Sequence, residues 1–107
     1  MQHLEGQVIW PADTEADNAG LTLTVQLRDV ALQDVAAPLV AQFVAAVAAP
    51  AAGQASAFRL DWNAPGQGGA QLALQARVVD GNGHLRFIST EHVAAAPGAR
   101  VRLQRVG

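Results

Sequence analysis

The stretch "LTLTVQLR", residues 21 to 28, decides the fold. Leu21, Leu23, Val25 and Leu27 fall on one side of an extended chain, and Thr22, Thr24, Gln26 and Arg28 on the other. A helix would scatter the four apolar side chains around its circumference, whereas a strand buries them together. Outward from this stretch the same alternation recurs. "FRLDW" turns Phe58, Leu60 and Trp62 inward, "QLALQARV" does so with Leu72, Leu74, Ala76 and Val78, and "RVRLQ" with Val101 and Leu103. "HLRFIS" sets Leu85 and Phe87 on one face, and "EGQVIW" pairs Val8 with Trp10.

Turn residues separate these runs: "PADTEADNAG" at 11 to 20, "NAPGQGG" at 63 to 69, "DGNG" at 80 to 83 and "APG" at 96 to 98. Asn82-Gly83 suits a tight primed turn, so a strand ending near Val79 and one starting near His84 are expected to pair as a hairpin. The segment "PLVAQFVAAVAAP" is ambiguous by pattern, because Leu39, Phe43 and Val47 share a face in a helix and in a strand alike. Alanine favours helix, the all-strand context favours strand, and strand is the expectation. The whole reads as an all-β chain: a two-sheet antiparallel Greek-key sandwich of about seven short strands, with a small barrel as its near alternative.

A chain of 107 residues makes one domain, 1-107, large enough for a core without metal or disulfide. Its only aromatics, Trp10, Phe43, Phe58, Trp62 and Phe87, are the expected core anchors. A net charge of -2 gives no general attraction to nucleic acid or anionic membranes. With no cysteine there is no disulfide, thiolate metal site or cysteine nucleophile. No apolar run reaches the roughly 18 residues of a membrane span, and "MQHLEG" lacks the basic-then-apolar pattern of a signal peptide. As written, the chain reads as soluble. All seven arginines sit on or beside expected strands at outward positions, as a solvated sheet surface or a binding stripe.

The chemical candidates are weak. Asp29 and Asp34 stand five apart in a doubled Asp-Val-Ala, which points them to opposite faces of a continuous strand, so turn and strand-end roles fit better than paired catalysis. Ser89, His92, His84, Asp80, Thr90 and Glu91 hold the ingredients of a hydrolytic triad. No nucleophile elbow accompanies them, and Ser89 and His92 would face opposite ways in a strand. The histidines, His3 included, show no metal-ligand spacing. "PGQGG" resembles a phosphate loop but has no following helix, and the chain contains no lysine. Trp10 and Trp62, with Gln26, Gln71 and Gln75 on outer faces, offer a glycan platform if the indoles are exposed. From these motifs no catalytic residue, metal or cofactor is assigned.

The stretch "LTVQLRDVALQDVAAPLVAQ" (Leu23 to Gln42), followed by "FRLDW" and "LALQARVVDGNGHLRFIST", resembles the YbaY/YscW-type family of small envelope lipoproteins, which includes pilotins of type III secretion systems. The family pattern of Leu-x-Asp-Val-Ser-Leu, an Asp-Ala-Pro-type link, Ile-Ala, Phe-x-Leu and a Leu-x-Phe-x-Thr ending matches Leu27 to Leu32, Asp34 to Pro38, Val40-Ala41, Phe58 to Leu60 and Leu85 to Thr90. Ala31 departs from the usual serine, Trp62 from a common tyrosine, and the lipobox cysteine is absent. The resemblance implies a periplasmic or outer-membrane-anchored β-sandwich without catalytic activity. Pilotin members bind a secretin subunit and help it assemble, so a secretin or other envelope protein is the implied partner. Membrane contact would come only through a lipid anchor absent from this chain. The rivals are a small-ligand or glycan-binding envelope module and a hydrolase around Ser89 and His92.

Overall fold

The computed structural model describes residues 2–12, 20–29, 39–47, 53–62, 72–89 and 93–106. They form β1 (Gln2–Ile9), β2 (Leu21–Asp29), β3 (Leu39–Val47), β4 (Ala55–Trp62), β5 (Leu72–Val79), β6 (Leu85–Ser89), β7 (Val93–Ala94) and β8 (Ala99–Arg105). The ambiguous 39–47 segment is a strand. No helix is present among the described residues. The corner around Asp34 and Pro38, the "NAPGQGG" loop, and Gln71, Thr90, Glu91 and His92 lie outside them.

The strands pair in the order β3-β2-β5-β6-β8-β1-β4, with β7 added beside β5. β8 is the hinge of this path. Its first half, Ala99 to Arg102, runs parallel to Gly6 to Ile9, and its second half, Leu103 to Arg105, runs antiparallel to β6. One sheet, β4-β1-β8, is thereby joined to another, β3-β2-β5-β6-β8. The end strands β3 and β4 come alongside each other, with the Phe43 and Phe58 rings 6.5 Å apart, so the path curls into a nearly closed barrel. The parallel β1–β8 pair corrects the all-antiparallel expectation. Alternation is the same in parallel and antiparallel strands, and turn residues report only neighbours joined by a tight turn.

Inside the barrel lie Leu4, Val8 and Trp10, the four inward residues of β2, Phe58, Leu60, Leu74, Ala76, Val78, Phe87, Val101 and Leu103. Trp62, Phe43 and Val47 are half-buried against this core. Trp10 meets Phe87 edge-on, with centroids 5.2 Å apart and planes at 88°, a geometry worth about 0.5–1.5 kcal/mol beyond the area it buries.

Two expectations of a shared face, Leu39 with Phe43 and Leu85 with Phe87, fail for one reason. Leu27 pairs with Ala41 but Arg28 with Leu39, which leaves Val40 as an extra residue in β3. Likewise Val78 pairs with Phe87 but Val79 with Leu85, which leaves Arg86 extra in β6. Each bulge inverts the alternation beyond it. Leu39 is therefore 47% exposed and Leu85 39%, while Phe43, Val47 and Phe87 keep their inward positions.

The hairpin between β5 and β6 is present, but its turn differs from the expected one. The closing bond runs from the Gly83 N–H to the Asp80 carbonyl, so Gly81 and Asn82 are the central residues. Gly83 carries the positive φ of 82°, giving a three-residue loop of the bulge type in place of a primed Asn-Gly turn. The aspartate explains the choice. Its Oδ1 accepts from the N–H groups of Asn82 at 2.9 Å and His84 at 3.0 Å, which fixes the loop from its first residue.

Candidate functional site

A concavity of about 950 Å³ opens where β1, β3, β4 and the start of β8 meet. Its construction begins at Gly6. A Cβ there would stand 2.6 Å from Phe58 Cζ and 2.7 Å from the Ala99 carbonyl oxygen, so only glycine lets the ring and the neighbouring strand come this close. Phe58 sits directly across from Gly6 in the β1–β4 ladder and meets Phe43 of β3 across the seam. The turn Ala96 to Ala99 supplies the other wall. Pro97 stands at its second position and Gly98, with φ 76°, at its third, the arrangement of a type II turn closed by Ala99 N–H to the Ala96 carbonyl. The Gly98 N–H also donates to the Glu5 carbonyl at 2.9 Å, docking the turn on β1 and setting Arg100 beside Gln7.

The groove has an apolar seam and a polar floor. Phe43 and Phe58 form the seam; His3, Glu5, Gln7 and Arg59 project from the outer face of β1 and β4. Glu5 lies opposite Arg59, whose Nη1 is 3.6 Å from Glu5 Oε1 and whose Nε is 3.3 Å from Asp61 Oδ1. These exposed pairs contribute about 0.2–1 kcal/mol each, and they leave Arg59 committed. Arg100 forms no ion pair among the described residues. A smaller hollow of about 140 Å³ lies between Thr24, Gln26, Arg77, Ile88 and Ser89 on the other sheet. Its size suits a few waters.

The residues singled out in the sequence take structural posts. The Ser89 hydroxyl accepts the Ala76 backbone N–H at 2.9 Å, standing in for a ladder carbonyl. Asp80 holds its turn, with Arg86 Nη1 3.5 Å and His84 Nδ1 3.8 Å from its Oδ2. Its carboxyl is held below the ordinary carboxylate range, first by the His84 N–H; partial burial opposes this, and the Asn82 N–H, the His84 charge and Arg86 add to it. Asp29 ends β2, and its partner in the doubled motif, Asp34, lies outside the described residues. So does His92. Trp10 is 1% exposed and donates its indole N–H to Ser56 Oγ at 2.8 Å, which removes it from any glycan platform; Trp62 packs half-buried. Gln26 accepts from Arg28 on the outer face. Among the described residues, no group of three histidine or acidic side chains is placed to hold a metal. No helix there is long and apolar enough to cross a membrane.

The groove residues Gly6, Phe43 and Arg100 were not assigned from sequence. The available signal was the glycine inside a strand, a mark of close backbone approach.

A small barrel with an open seam and a partly apolar groove beside it has the build of a binding module. The chain belongs to the YscW family, the type III secretion system lipoprotein chaperones, whose model matches residues 1–104. No curated protein matches it in sequence. Among solved structures it is similar to an alternative pilotin from the type II secretion system of Vibrio cholerae. The two share 22% identity over 99% of this chain and 97% of that one, with a TM-score of 0.83. At that identity the likeness establishes the fold.

Proposed function

We propose that this chain acts as a pilotin-like chaperone of the bacterial envelope, holding a segment of a secretin subunit and accompanying it to its assembly site. The observation that carries the reading is the family match across nearly the whole chain. The groove at the β3–β4 seam supports it by offering about 950 Å³ of partly apolar space beside Phe43 and Phe58. The partner segment packs apolar side chains at this seam. The role is non-catalytic: the Ser89 hydroxyl and the Asp80 carboxylate are occupied by backbone N–H groups. The place of action is the periplasm, with outer-membrane attachment in a lipidated form.

Titration calorimetry with the C-terminal segment of the co-encoded secretin tests the proposal. Saturable one-to-one binding, weakened by Ala57→Arg at the groove wall, is expected. Absence of heat with that segment across a wide concentration range would sink the secretin assignment.

A further inference from the structure

Charge is divided unevenly in this chain. All seven arginines belong to the described strands, against three carboxylates there, Glu5, Asp29 and Asp61; Asp80 lies in the β5–β6 turn, and the other five acids lie outside the described residues. Glu5 and Asp61 are committed to Arg59, and Asp80 to its turn, His84 and Arg86. Arg77, Arg100, Arg102 and Arg105 form no ion pair among the described residues. Two of them, Arg100 and Arg102, share the outer face of β8, about 7 Å apart at two strand residues. Their ladder neighbours on β1 are Gln7 and Ile9; further along, Gln104 pairs with Ile88 and Ile88 with Arg77. No carboxylate stands in these rows. Arg100 also lines the groove.

We infer that the outer face of β8, through Arg100 and Arg102, docks carboxylates of the partner segment whose apolar part the neighbouring groove holds. The inference rests on the pilotin-like reading and adds the chemistry of the segment: acidic side chains next to its apolar anchors. A short peptide fits better than an extended polyanion. The whole chain carries -2, so beyond the ~8 Å screening length a membrane or nucleic-acid surface is not attracted, whereas carboxylates seated against two guanidiniums that have no ion pair among the described residues feel those charges locally. Guanidinium also gives a two-pronged contact to carboxylate, and a spacing of two strand residues matches acids two apart on an extended segment.

The test is a binding cycle with the full chain. The probes are the C-terminal segment of the co-encoded secretin and the same segment with its Asp and Glu changed to Asn and Gln. The parent chain is expected to bind the acidic probe about two- to thirty-fold tighter than the amide probe, with an affinity that falls as salt rises. Arg100→Gln with Arg102→Gln should erase that preference and flatten the salt dependence, while Arg28→Gln, on β2 and outside the groove lining, should keep both. Thermal unfolding of each variant confirms the fold. If the parent binds both probes equally, or the double variant keeps the preference, this inference is overturned and the chaperone reading stands. No binding of either probe overturns both. Binding of phosphatidylglycerol vesicles that depends on Arg100 and Arg102, with peptide affinity unchanged, would replace the peptide by a membrane and also overturn the inference.

Discussion

Gly6→Ala is the sharpest probe of how the barrel closes. The new Cβ would meet Phe58 Cζ at 2.6 Å and the Ala99 carbonyl at 2.7 Å. The ring tip can swing toward the seam, but the carbonyl is main chain, held where β8 begins its parallel pairing with β1. The ladder must therefore shift. Overpacking of this kind costs about 1–3 kcal/mol, and a contact that includes main chain belongs in the upper half of that range. Alanine returns about 0.4–1 kcal/mol by restricting the unfolded chain. The net loss is about 1–2.5 kcal/mol, a fall in Tm of about 5–20 °C for a domain of this size. Urea unfolding followed by tryptophan fluorescence, with Trp10 deep in the core, reads it directly. Gly81→Ala, with open space around its position, serves as a control and should stay within about 0.5 kcal/mol of the parent. Combining Gly6→Ala with Phe58→Leu relieves the ring contact but not the carbonyl, so the two losses should couple by about 0.5 kcal/mol or more. A Gly6→Ala chain as stable as the parent would refute the close approach of β1, β4 and β8.

Ser56→Ala leaves the buried Trp10 indole N–H without its acceptor and should cost about 1–3 kcal/mol in urea unfolding, while Ser56→Thr keeps most of that stability. Ser89→Ala orphans the Ala76 N–H and should cost a similar amount, read as faster amide exchange at Ala76. For Asp80 the sign follows from its lowered carboxyl: the unfolded chain takes up the proton first as pH falls, so the stabilisation is full above the ordinary carboxylate range and fades as pH drops through the folded value. Asp80→Asn should therefore melt below the parent at neutral pH, with the gap closing in calorimetry as pH falls through and below the ordinary carboxylate range.

The alternation at Leu21 to Leu27 was enough to read the class of fold, because every second residue of a strand meets the same environment. The same rule carried Phe58, Leu74, Val78, Phe87 and Val101 to the core. It failed at Leu39 and Leu85, each beyond a single inserted residue. An insertion leaves no mark in composition and is visible only once the partner strand is known. β7 was missed because two residues carry no period. The parallel joining of β1 to β8, which builds one wall of the groove, depends on strands from the two ends of the sequence meeting. No local pattern reports that.

The groove was legible in only one letter, the glycine at position 6, and there is a physical reason. A catalytic site demands a few groups within hydrogen-bond reach of a reacting atom, and such demands leave recognisable spacings. A docking surface sums many weak contacts from the outward positions of strands, where almost any polar residue suits the fold. Arg59 and Arg100 make the point. Both are outward strand arginines on neighbouring parts of the same groove, and nothing in their flanking residues separates them. What separates them is register: β4 sets Arg59 opposite Glu5, and β8 sets Arg100 opposite Gln7. One guanidinium is engaged by the chain's own carboxylates, and the other forms no ion pair among the described residues. The difference between two like residues thus resides in the long-range pairing of strands, a property of the folded barrel.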